Sequence, residues 1–409
     1  MSFDSEEISK HIDAQSPVSP EVFLSKEENG VPNWTEKKVE TSKFGRVSVQ
    51  IAGDRCKPAI LTLHDLGLNA AACFANFFQT PDVSSLINRF CVYHVNAPGQ
   101  EDDALAFSDN FTYPNMDELA GIIDDVVKFF NLKDFIGFGV GAGANVFCRY
   151  ALQFPDKVNA LILINCSAST SGWLEWGYQK ANIFYLRKWS TVNTLTVDYL
   201  MWHHFGRNLD HFYDKETING YRQYFSGLPN AKNLAGFIDS YIKRSALNIR
   251  RQGPTLKCPV LQIVSAQSPH LNETLGLNQR LDPSKSDWLK ISDCGGLILE
   301  EAPEKVAEAI LLFLQGQGFL PSISHVKWVA RRPSIPSSSG AGGGRSMSVC
   351  MPPLIKMAVK SRKNVTVNND ETPLAASTGG FDVVKSVNLT LKSIFDADVA
   401  PPRHLHWSG

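Results

Sequence analysis

Short, solid apolar runs alternate along the middle of the chain with stretches in which apolar residues recur every three or four positions. The solid runs are Ala59 to Leu63, Phe90 to Val95, Phe135 to Phe138, Ala160 to Ile164 and Val260 to Val264. Continuous apolar, β-rich runs predict strands covered on both faces, and so a mostly parallel sheet. Ahead of them, Val47, Val49 and Ile51 alternate with polar residues as a half-exposed strand does. The intervening stretches predict helices. Leu119, Ile122, Ile123, Val126 and Phe130 share one stripe, with Asn115 and Glu118 placed as a capping box. A second stripe, Val146 to Phe154, stops at Pro155, and a third runs from Pro303 to Gly316. Strands alternating with helices give an open, doubly wound α/β sheet.

Two regions depart from this rhythm. Residues 168–255 contain no strand pattern, show helical spacing and hold Trp173, Trp176, Trp189 and Trp202, which predicts a helical cap inserted between two strands with its tryptophans in a core. Residues 1–40 read as a polar N-terminal arm, and residues 321–409 as a disordered tail rich in Pro, Ser and Gly, because neither can bury enough apolar area to offset the entropy of ordering it.

Charge sharpens the division. The whole chain of 409 residues is near neutral at −1, but residues 321–409 hold 11 basic and 5 acidic residues, leaving an acidic body with a basic tail. Near neutrality gives no whole-chain reason to expect a nucleic-acid partner. The start lacks the apolar stretch of a secretory signal, and no run approaches a membrane span, so no transmembrane segment and a cytoplasmic location are expected. The eight cysteines are scattered without a Cys-x-x-Cys pair, which points to reduced thiols; no metal or cofactor is expected.

The predicted strand ending at Phe138 runs through Gly139-Val-Gly-Ala-Gly143 straight into a helix. That is the setting of a nucleophile elbow, but its central position is Gly141, which has no side-chain atom to attack a substrate. A competing reading takes Gly139, Gly141 and Ala144 as a dinucleotide fingerprint; no basic residue lies near the loop to favour it.

Two further stretches resemble α/β-hydrolases: His64-Asp-Leu-Gly67, like an oxyanion loop, and Asn96-Ala-Pro-Gly-Gln100. Together with Tyr113-Pro-Asn-Met-Asp117, Gly139 to Ala144, Leu281-Asp-Pro-Ser-Lys285 and Asp293-Cys-Gly-Gly296, they resemble the N-myc downstream-regulated (NDRG) family over residues 40–320. The resemblance implies an α/β-hydrolase fold, no enzymatic activity, and a role through protein contacts in signalling, differentiation or stress responses. Set against the hydrolase pattern, the nucleophile, acid and base positions fall on Gly141, Ser268 and Gly296. A triad needs a nucleophile, a base and an orienting carboxylate, so losing all three argues against acyl transfer by that route.

His64 and Asp65 are the polar pair expected to face the vestigial pocket, either touching a ligand or bonding the loop backbone. His203 and His204 are adjacent, so one helix face cannot present both to a metal, and His270 is a base with no nucleophile nearby. Two alternatives to a protein-contact role are a small-molecule or lipid sensor using the closed pocket, and a hydrolase of unorthodox mechanism built on His64, Asp65 or His270. In the tail, Arg331-Arg-Pro-Ser334 suits a basic-directed kinase, making Ser334 a phosphorylation candidate. Lys356, Lys360, Arg362 and Lys363 interleave with apolar residues and offer peripheral membrane contact.

Overall fold

A computed structural model describes residues 34–320, apart from 81–82, 84–87, 207–208, 210–212 and 293. The arm before residue 34, the tail and Ser334 lie outside the described residues. Eight strands form one sheet: β1 (Thr35–Glu40), β2 (Arg46–Ala52), β3 (Ala59–Leu63), β4 (Cys91–Val95), β5 (Phe135–Val140), β6 (Val158–Ile164), β7 (Val260–Ser265) and β8 (Ser286–Ile291). Their order is β1-β2-β4-β3-β5-β6-β7-β8. The strands from β4 across to β8 are parallel, while β2 runs antiparallel to β4 and β1 antiparallel to β2. Every residue of β3, β4, β5 and β7 is buried, which is what solid Val, Ile, Leu and Phe runs require.

The helices among the described residues are α1 (Ala70–Gln79), α2 (Met116–Phe129), α3 (Ala142–Gln153), α4 (Trp173–Trp189), α5 (Thr194–Phe205), α6 (Lys215–Ser226), α7 (Ala231–Ile242), α8 (Leu271–Asn278), α9 (Ile298–Glu301) and α10 (Pro303–Gly316). Asn115 and Glu118 close the α2 capping box in both directions, and the α2 stripe is buried from Leu119 to Val126. Among the described residues, four helices, α4 to α7, lie between β6 and β7.

The structure differs from the sequence reading in two places. Residues 35–40, assigned to the arm, form the edge strand β1; only Val39 is buried, so Thr-Glu-Lys-Lys-Val-Glu carries almost no apolar signal. An edge strand faces solvent and gains from its charges, which discourage pairing with another chain. Second, three of the cap tryptophans stand outside the core: Trp173, Trp176 and Trp189 are 80%, 48% and 52% exposed. Trp189 stacks on Tyr185 at 4.8 Å, and lysine ammonium groups sit over Trp176 and Trp189.

Candidate functional site

Parallel α/β sheets place their functional groups in the loops beyond the strands' carboxyl ends. Four such loops matter here, carrying Asp65 after β3, Gly141 after β5, Ser268 after β7 and Gly296 after β8.

Gly141 sits at φ +52°, ψ −109°, a conformation that side-chain-bearing residues avoid. A Cβ built on it would overlap the carboxylate of Asp65. That carboxylate enters the elbow from the β3 loop. Its Oδ1 accepts the Leu66 N–H at 2.8 Å and the Ala142 N–H at 2.9 Å. In an α/β-hydrolase the oxyanion hole is made by the N–H after the nucleophile and an N–H from the loop after this strand. Here Ala142 and Leu66 occupy those places, and one carboxylate oxygen takes both donors. The same occupancy disposes of the phosphate reading of this glycine loop, because the N–H that would open the α3 anion site is already committed.

The other carboxylate oxygen faces the cap. His203 of α5 donates from Nε2 to Asp65 Oδ2 at 2.9 Å, and His204 places its Nδ1 4.0 Å from the same oxygen. His204 also donates from Nε2 to the Leu66 carbonyl at 2.8 Å, and His270 Nε2 donates to the His203 carbonyl at 3.1 Å. Burial pushes the Asp65 carboxyl up. The charge and hydrogen bond of His203, the His204 ring and the Ala142 N–H outweigh it and hold Asp65 well below the usual carboxylate range. Burial drives His204 down to about 4 and His270 down to about 3.

The remaining predicted residues fall as follows. His64 is buried but turned to the backbone: Nδ1 donates to the Asp65 carbonyl at 2.9 Å and Nε2 accepts the Ala97 N–H at 3.0 Å. Those bonds fix a neutral ring, and burial lowers its pKa to about 4. The Ser268 hydroxyl accepts the His270 N–H at 3.1 Å, inside the turn that starts α8. Gly296 meets the cap, where a Cβ would overlap the His204 carbonyl, so no histidine side chain fits. Asp65, His203, His204 and Gly296 share a cavity of about 20 Å³ with Glu300, room for about one water and no acyl chain.

In the sequence, adjacency excludes a metal shared by His203 and His204. They instead approach one carboxylate from a helix 138 residues away in sequence. No local pattern carries that. Among the described residues, no group of three or more His, Cys, Asp or Glu is arranged to hold a metal ion. The described cysteines are all free, and Cys56 alone among them is exposed. No helix of the described residues is long and apolar enough to cross a membrane.

Comparison with known proteins places the chain. It resembles solved α/β-hydrolase structures: a thermophilic esterase from Thermogutta terrifontis, with TM-score 0.55, 18% identity and coverage of 69% of this chain and 99% of that one. MenH from S. aureus gives TM-score 0.52, 16% identity and coverage of 70% and 98%. At such identities the likeness shows the fold. Protein NDRG3 of Xenopus laevis is 38% identical over 317 residues, 75% of this chain and 82% of the relative. Protein NDRG2 of Homo sapiens is 37% identical over 314 residues, 76% of this chain and 82% of the relative. Residues 36–321 match the Ndr family, and with relatives this similar over most of both lengths, the chain belongs to that family.

Proposed function

We propose that the protein is a non-enzymatic member of its family, acting in the cytoplasm through contacts with other proteins in signalling, differentiation or stress responses. One observation supports the absence of hydrolysis above all. The Asp65 carboxylate fills the space beside Gly141 and engages both N–H groups that an oxyanion intermediate would need. A second negative oxygen in that position would be repelled rather than stabilised. With Gly141, Ser268 and Gly296 at the three triad positions, nucleophile, acid and base are replaced together, and the Cys73 thiol that lines the same small cavity is held protonated, because burial pushes it well above the usual thiol range.

The test is ester hydrolysis by the purified full chain on acyl chains of several lengths, with a fluorophosphonate serine probe alongside. Rates at the buffer background and no labelling are expected. Turnover that co-purifies with the protein and falls in Asp65→Asn or His270→Gln would show an enzyme of unorthodox mechanism.

A further inference from the structure

A second cavity lies away from the elbow, between the loop that leads into α2 and the cap. It is a groove of about 610 Å³, in the size range of small-molecule sites. Its floor is one face of α7 and the residue after it, where Lys232, Gly236, Asp239, Ser240 and Lys243 follow helical spacing. One wall is the loop carrying Phe107 and Phe111, whose rings stack at 3.9 Å. The other wall is Arg187 of α4.

The groove is preformed. Asn233 on α7 accepts the Phe107 N–H at 2.9 Å and donates to the carbonyls of Gly99 and Leu105 at 3.0 Å. Lys232 pairs with Asp109 at 2.7 Å, fastening the aromatic loop to the helix a second time.

Two independent features point to a ligand. Charge is locally unbalanced, because Asp239 alone receives Lys180 at 2.9 Å, Arg187 at 3.2 Å and Lys243 at 2.7 Å. Three cations on one carboxylate leave two positive charges over, and the Arg187 and Lys243 side chains remain 54% and 53% exposed beside the groove. Of the groove's other carboxylates, Asp109 is held by Lys232, and Glu118, which accepts the neutral Asn115 N–H in the α2 cap, keeps its charge and leaves a surplus of one positive charge. In addition, Ser240 is only 7% exposed and lines the groove, yet its buried hydroxyl has no hydrogen-bond partner. Such a group is costly unless something completes it.

We propose that this groove binds a soluble small molecule bearing a phosphate monoester on a flat apolar ring. Arg187 and Lys243 receive the dianion, the guanidinium supplying its fork and the ammonium a point charge. The ring lies against Phe107 and Phe111, and the Ser240 hydroxyl bonds a polar atom of the ligand. This site shares no residue with the filled elbow and does not depend on the absence of hydrolysis.

Isothermal titration of the full chain with 1-naphthyl phosphate, inorganic phosphate and 1-naphthol tests it. One-site binding is expected, with 1-naphthyl phosphate at least about tenfold tighter than either half-probe. Arg187→Gln with Lys243→Gln should weaken it about tenfold, and Phe107→Ala should weaken it independently of salt. Lys180 stays on Asp239 in the double variant, whose fold is checked by circular dichroism, and Lys243→Gln alone provides a milder variant. Equal affinities for the three probes, or binding of 1-naphthyl phosphate indifferent to Arg187 and Lys243, would overturn the proposal. So would a failure to bind 1-naphthyl phosphate while phosphatidic acid vesicles sediment the wild type and not the double variant, which would move the site to a lipid surface.

Discussion

Gly141→Ser, the substitution that restores the missing hydroxyl of the elbow, is expected to cost roughly 2–5 kcal/mol of stability and to produce no ester hydrolysis. Two causes add. A side chain at φ +52° is strained, and its Cβ would run into the Asp65 carboxylate. The second cause makes the prediction specific, because it couples two residues distant in sequence. Asp65→Ala alone leaves His203 and two buried N–H groups without their acceptor, a loss of roughly 3–5 kcal/mol. In the double variant the serine enters the space the carboxylate has vacated and its oxygen returns an acceptor to that space. The combined cost should fall short of the sum by about 1–3 kcal/mol. Urea unfolding of the four proteins of the cycle, followed by circular dichroism, measures it. Costs that add to within about 0.5 kcal/mol would mean that the carboxylate does not fill the elbow.

The second large effect concerns pH. Glu300 lies buried beside the same small cavity, where its carboxylate accepts the Tyr221 hydroxyl of α6. Burial, with neighbouring Glu301, pushes its pKa up to about 8 against the downward pull of the Tyr221 hydroxyl. Glu301 is raised in the same direction by its own burial, although it accepts the N–H groups of Gly295 and Leu297 and the hydroxyl of Tyr213. A carboxyl raised on folding binds a proton more tightly in the folded state. Its contribution is therefore fully present below the ordinary value of 4.5 and is lost as pH rises through about 8. Over that window the loss is on the order of 3–5 kcal/mol.

Glu300→Gln keeps the shape and an oxygen for Tyr221 without the titration. Its Tm should lie close to that of the wild type at pH 5 and several degrees above it at pH 8.5. The buried neutral histidines act in the opposite sense. His64, His204 and His270 have lowered pKa values, so they withdraw stability as pH falls below 6.5. For that reason the readout is the difference between variant and wild type at each pH, in which the histidines cancel. A Tm difference that stays constant across the range would refute the buried-acid account.

What the sequence revealed followed from burial. The five solid apolar runs correspond to β3 to β7, and the α2 and α10 boundaries followed from Asn115, Pro303 and Gly316. The two edge strands were invisible for the complementary reason. In β8, Ser-Asp-Trp-Leu-Lys-Ile buries only Ile291 fully and leaves Trp288 46% exposed, so neither alternation nor a solid run marks it. Gly141 stood out because a motif with a missing atom is a local fact. That Asp65 supplies the carboxylate which fills the gap was not local, since it depends on β3 and β5 pairing side by side and on α5 descending over both. His64 and Asp65 are neighbours in sequence but alternate in direction: the ring of His64 turns to the backbone of Ala97 while the carboxylate of Asp65 turns to the elbow.

The bonds from His203 to Asp65 and from His204 to Leu66 tie α5 directly to the loop after β3. The cap of a working hydrolase has to part from its sheet whenever substrate enters or product leaves. Here that motion would strand one oxygen of a buried carboxylate, a buried carbonyl and the two imidazoles that donate to them, a cost of several kcal/mol. The cap is then a roof instead of a lid, and it shares one cooperative unit with the sheet. The amide protons of α5 and β3 should exchange with solvent together, at the slow rate set by global opening, in hydrogen-exchange mass spectrometry.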